Sequence, residues 1–135
     1  AILIMTSNIG AATISRNTPL GFSVSDESGV LKGFVRMDGA AQLSVQIAQD
    51  KAYTAIGFGM PTHGWYDFIK DDGPLLHGLP KTDRLVIFGG GFPIREAGAV
   101  IGGVGVSGGH YSQDMEVAEA GLAALEPGEA NLASL

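Results

Sequence analysis

The chain has no cysteine, and that absence removes disulfides, thiolate nucleophiles and cysteine-ligated metal together. It is also poor in charge. Only 16% of its 135 residues are Asp, Glu, Lys or Arg, and the eight basic ones are scattered, so there is no patch to neutralise a run of phosphates. With a formal net charge of -6, nucleic acid and anionic membrane surfaces are excluded as partners. Long apolar runs are missing too: Ala1–Met5 is apolar but lacks a basic flank, and nothing approaches the length of a membrane span. A cytoplasmic location is the expectation.

Glycine is abundant, at 21 residues, and 45% of the chain is hydrophobic. A chain of this length buries one core, which predicts a single domain over residues 1–126 and a loose tail over 127–135. Sparse charge over so much apolar sequence predicts that part of the exterior is covered by other copies of the chain, as in homo-oligomers.

Residues 2–16 carry Ile2, Leu3, Met5, Ile9, Ala12 and Ile14 at helical spacing, and Asn17-Thr18-Pro19 stops them. Leu20–Asp26 and Val30–Met37 alternate around the turn residues Glu27-Ser28-Gly29, which predicts a β-hairpin. Residues 42–57 suit a helix with Leu43, Ile47, Lys51, Thr54 and Ala55 near one face and Ala48, Ala52 and Ile56 alongside. The stretch 60–83, with three prolines, is too long for a plain connector and suggests a pocket wall or lid with a short helix near Trp65–Lys70. Arg84–Phe88 has the composition of a buried strand. Gly89-Gly90-Gly91 bends into a further strand, Ala97-Gly98 turns, Ala99–Ser107 is extended, and a last helix runs from Ser112 as N-cap to Leu125 before Pro127-Gly128. This order predicts an α+β fold, an antiparallel sheet flanked by helices in α-β-α layers.

Gly103, Gly105 and Gly108 have the spacing of a dinucleotide-binding fingerprint, but only 27 residues follow Gly108, too few for the second parallel strand and acidic residue of a Rossmann unit. Strand glycines that admit a close neighbour are the better reading. Ser107–Ser112 presents backbone amides at a helix start, where an anion is favoured and where Asp114 competes for the same donors. Arg36 and Asp38 stand two apart at a strand end, and Lys51 follows on the next helix. They form either a structural ion-pair cluster or a cleft in which Arg36 clamps a carboxylate while Asp38 or Lys51 transfers protons. His63, His77 and His110 lack the spacing of a zinc site. His63 with Trp65 and Tyr66, and His110 with Tyr111, pair an imidazole with flat aromatic surface, which suits a flat ligand.

Several segments read together add a resemblance. Arg36-Met-Asp-Gly-Ala40, Lys51-Ala-Tyr-Thr-Ala55, Gly89-Gly-Gly-Phe-Pro-Ile94 and Ile101–Gly109 occur in one order, and this ordered set resembles the GlcG/HbpS family, which includes the C-terminal domain of PduO-type proteins. The resemblance spans about residues 9–125. It implies a profilin-like or GlcG-like α-β-α domain, assembly into tetramers to octamers, and in some members haem or another tetrapyrrole near subunit interfaces; other members stand in catabolic operons. Arg36, Asp38 and Lys51 are the matched motif positions. The lid with Trp65, Tyr66 and His77 is richer in aromatics and histidine than the family pattern. The leading expectation is therefore an oligomeric small-molecule binder for haem or a related planar cofactor, with His63, Trp65, His110 and Tyr111 around it. Its rival is a cofactor-independent isomerase, lyase or hydrolase for a small carbonyl or carboxylate compound, using Arg36, Asp38, Lys51 or His110. A third is an accessory subunit without a ligand.

Overall fold

The computed structural model describes residues 18–125. The helix expected over 2–16 and the tail from 126 lie outside the described residues. The elements in order are β1 (Gly21–Asp26), β2 (Leu31–Arg36), α1 (Leu43–Phe58), α2 (Gly64–Ile69), α3 (Gly73–Gly78), a 3-10 turn (Leu79–Lys81), β3 (Gly91–Glu96), β4 (Ala99–Ser107) and α4 (Tyr111–Leu125).

The four strands form one antiparallel sheet in the order β2-β1-β4-β3. The predicted hairpin is its edge: Asp26 Oδ1 accepts the amides of Ser28 and Val30 at 2.9 and 3.0 Å, and Gly29 takes the left-handed conformation with φ 80° that an L side chain resists.

Alternation along the strands gives the sheet two unlike faces. Phe22, Phe92, Val104 and Val106 point to one side and pack with Val117, Ala118 and Leu125 of α4 as the hydrophobic core, each large side chain stabilising by about 1.5–3 kcal/mol. The other side is nearly bare. There Gly91, Gly103, Gly105 and Ser23 face α1: a Cβ on Gly103 would lie 2.8 Å from the Ala52 carbonyl oxygen, and one on Gly105 would run into that of Ala48. Ser23 Oγ donates to the same Ala48 oxygen at 2.8 Å. The fingerprint glycines therefore form a helix–sheet seam. α1 answers mostly with small residues, burying Ser44, Ala48, Ala52, Thr54 and Ala55 together with Lys51, whereas Leu43, expected near the same face as Lys51, is 75% exposed. With helices on both faces the fold is the expected α+β arrangement in α-β-α layers.

Three local expectations are corrected. Arg84–Phe88 is not a strand: Arg84 sits at φ 64°, and Thr54 Oγ1 both donates to the Arg84 carbonyl at 2.7 Å and accepts from the Val86 amide at 3.0 Å. A helix side chain satisfies the backbone that a neighbouring strand would otherwise pair. In the lid, α2 stands where the short helix was predicted, but α3 was not foreseen; Asp72 caps it by accepting from the Leu75 amide, and Pro74 lies in its first turn, so a proline read as a breaker opens a helix. The last helix starts at Tyr111, ahead of Ser112, because His110 Nδ1 accepts the Ser112 amide at 3.2 Å. No helix among the described residues is long and apolar enough to cross a membrane.

Candidate functional site

Lys51 lies in the middle of α1 and its side chain is fully buried. The glycine seam leaves room for it. Gly90, with φ 125°, would place a Cβ 2.7 Å from Nζ, so any side chain there meets the ammonium. Nζ donates to the Val106 carbonyl at 2.8 Å and to Asp114 Oδ2 at 2.9 Å, and Asp114 Oδ1 accepts the Gly109 amide at 3.0 Å. Asp114 is 2% exposed. The Phe88 ring, 5.0 Å from Nζ, covers the pair from outside. Burial pushes Asp114 above its ordinary carboxylate range and Lys51 below its ordinary ammonium range, with their mutual hydrogen bond and attraction opposing both shifts.

The cation's partner is therefore Asp114 and not Asp38. Asp38 is exposed in the turn after β2 and has no ion-pair partner among the described residues. Arg36 is exposed as well, and its Nη2 donates to the Ala40 carbonyl at 2.6 Å, closing that turn. Among the described residues, neither cavity brings Arg36, Asp38 and Lys51 together. The sequence groups Lys51 with Asp38 as an ion-pair candidate, whereas the fold brings in a residue 63 positions away. The signal for Asp114 was its competition for the amides of the glycine turn.

Two cavities share Phe88 and Tyr111 as a common wall, and the second of them is lined by Asp114 of this ion pair. The first, about 400 Å³, is lined by His63, Tyr66, Asp67, Ile87, Phe88 and Tyr111, with Gly89 at its base. His63 is held against the core by Phe92, ring centroids 5.5 Å apart, and Thr62 fixes the start of the lid by accepting the Gly91 amide at 2.9 Å. The predicted pocket wall in the lid is thus present. The second cavity, about 370 Å³, opens between the N-terminal end of α1 and the Ser107–Tyr111 turn, with Ser44, Ser107, His110 and Asp114 among its lining. His110 stacks on Tyr111 at 4.1 Å, and its Nδ1 lies 2.9 Å from Ser112 Oγ.

Of the aromatic candidates, Tyr111 lines both cavities and Trp65 lines neither. Trp65 is 3% exposed, its ring 4.8 Å from Phe58 and 6.0 Å from Phe68, so it stiffens the lid from behind. Phe88 was missed because its segment was read as the interior of a strand. Chemically, the first cavity offers an imidazole and two phenols in a mainly apolar lining, and the second a neutralised ion pair with hydroxyls. Among the described residues no cluster of three or more His, Asp or Glu side chains is placed to hold a bare metal ion.

An antiparallel sheet layered between helices, with two adjoining cavities and a buried ion pair beside one of them, defines a cavity-bearing α-β-α domain. Residues 3–123 match the family described as haem degrading protein HbpS-like, and the chain belongs to that family. An uncharacterized 15.0 kDa protein from the dhaT-dhaS intergenic region of Citrobacter freundii is 42% identical over 120 residues, covering 87% of this chain and 84% of that protein. The corrinoid adenosyltransferase PduO of Salmonella typhimurium is 36% identical over 112 residues, which are 82% of this chain but 33% of PduO. The chain thus spans about a third of that enzyme. Among solved structures, the PduOC:heme complex superposes with a TM-score of 0.83 at 29% identity, covering 93% of this chain and 91% of that one.

Proposed function

We propose that the protein binds haem or a related planar tetrapyrrole in the cavity lined by His63, Tyr66, Phe88 and Tyr111. The observation that carries the reading is this donor set in an apolar lining: imidazole and tyrosine oxygen are both ligands of haem iron, and flat rings suit a flat ligand. Membership of the HbpS-like family and likeness to a protein solved with haem support it. Haem would supply an iron that accepts an axial ligand. His63 is the preferred donor because it lines the apolar cavity, whereas His110 lines the polar one and has Nδ1 engaged with Ser112. The cavity is partly open, and Tyr66 in its lining is 53% exposed; in this reading a second subunit closes the site within a homo-oligomer of four to eight chains. Haemin titration of the wild type should shift the Soret band, and His63→Ala should alter the bound spectrum while His110→Ala leaves it unchanged. An unshifted Soret band in the wild type would end this reading.

A second reading, a cofactor-independent enzyme for a small carbonyl or carboxylate compound, is favoured by the Lys51–Asp114 pair, since buried groups with displaced pKa values gather at catalytic sites. In that reading Asp114, Lys51 and His110 transfer protons, while Arg36 and Asp38 stand at the exposed end of β2 and in the turn after it.

A further inference from the structure

The polar cavity has its own chemistry, separate from haem. Ser107, the last residue of β4, has the same parity as Gly103 and Gly105 and so faces α1. It is only 6% exposed, and its hydroxyl has no hydrogen-bond partner among the described residues. Among the described residues the buried side-chain polar atom without a partner is Trp65 Nε1; the Ser107 hydroxyl instead opens into the cavity that it lines, where it can bond a ligand. Asp114, another lining residue, accepts one hydrogen bond on each oxygen, from Gly109 and from Lys51. A carboxylate has about four acceptor sites, so capacity remains. Ser44 adds a hydroxyl whose own proton goes to the Ala41 carbonyl, leaving its oxygen free to accept.

Charge then selects the ligand. The Lys51 and Asp114 charges cancel, so the site has no net attraction for an ion. An anion in the cavity meets the Asp114 carboxylate and a chain of net charge -6; a cation must share that carboxylate with Lys51, which already holds Oδ2. An uncharged group avoids both penalties. The geometry points to a polar subsite for an uncharged, hydroxyl-bearing small molecule, whose hydroxyl donates to Asp114 and accepts from Ser107, with Phe88 and Tyr111 against its carbon face. The volume, about 370 Å³, lies within the usual range of about 300–1,000 Å³ for small-molecule sites. The subsite does not depend on the haem reading, because Ser44, Ser107 and Asp114, which make its polar contacts, do not line the His63 cavity.

Glycerol is a suitable probe, with acetate and ethylammonium as charged comparisons. In ligand-observed saturation-transfer NMR of the whole chain, glycerol should receive saturation while acetate and ethylammonium receive less. Glycerol should also move the backbone amide resonances of Gly108 and Gly109 in the wild type, a measurement that needs no variant. Ser107→Ala, which keeps the ion pair, should weaken glycerol about fivefold, the loss of one hydrogen bond, and His63→Ala should leave it unchanged. Acetate binding more strongly than glycerol, or amide shifts confined to residues outside this turn, would overturn the subsite; so would a folded Ser107→Ala that binds glycerol as the wild type does.

Discussion

Removing one member of the Lys51–Asp114 pair strands the other charge in a dry site, whereas removing both strands nothing. Lys51→Met and Asp114→Leu should each therefore cost about 3–5 kcal/mol, and the double variant should recover most of that loss. Urea unfolding of the four proteins measures the coupling; additive losses would mean that the pair is not coupled through its charges. The pH dependence follows from the directions of the shifts. Asp114 titrates above its ordinary 3.8, so its contribution to stability is complete below that value and declines as pH rises through the folded-state value. Lys51 titrates below its ordinary 10.5, so its contribution is complete above that value and declines as pH falls towards the folded-state value. The ionised pair is thus most costly near neutrality, and there the double variant should compare best with the wild type. Asp38→Asn is the control, expected to stay within about 0.5 kcal/mol because that side chain is exposed and has no ion-pair partner among the described residues. At this scale the sequence made the need of Lys51 for a carboxylate legible, since lysine among alanines on a helix face is rarely solvated. It did not reveal which carboxylate, because that choice depends on how β4 delivers α4.

The helix α1 was readable from periodicity because one of its faces is buried and the other is not, whereas the hairpin was readable from its turn residues, since β1 is buried on both faces and β2 has no buried residue. Arg84–Phe88 was misread because apolar composition records burial, not pairing; the hydroxyl of Thr54, thirty residues earlier than Arg84, takes the place of a partner strand. The same limit hid Phe88, which became visible as a cavity wall only once its backbone left the sheet. The seam between α1 and β4 was legible as glycine but not as a contact. Because a Cβ on Gly105 would collide with the Ala48 carbonyl, Gly105→Ala must push α1 off the sheet, and it should destabilise by at least the 1–3 kcal/mol of an overpacked core. Gly57→Ala, where no atom lies within 4 Å of the added carbon, should instead be neutral or slightly stabilising. Thermal melts of the two variants check this, and equal melting temperatures would refute the seam.

For the whole molecule, low charge combines with large exposed apolar side chains: Leu43, Phe58 and Phe68 are 75%, 57% and 58% exposed. Surfaces of that kind are buried between subunits in homo-oligomers. A tetramer or larger assembly is expected at micromolar concentration, and light scattering that returned the 13.9 kDa of one chain would contradict it. The seam of α1 against the sheet has a consequence for change over time. Peptide groups meet there with almost no side chains between them, so the frame has few positions at which a substitution can be tried. The lid and the segment from Leu85 to Phe88 are under no such restriction, since His63, Tyr66 and Phe88 reach their cavity from outside the sheet. Substitutions can therefore accumulate along the rim of that cavity residue by residue, while the helix and strands beneath remain as they are.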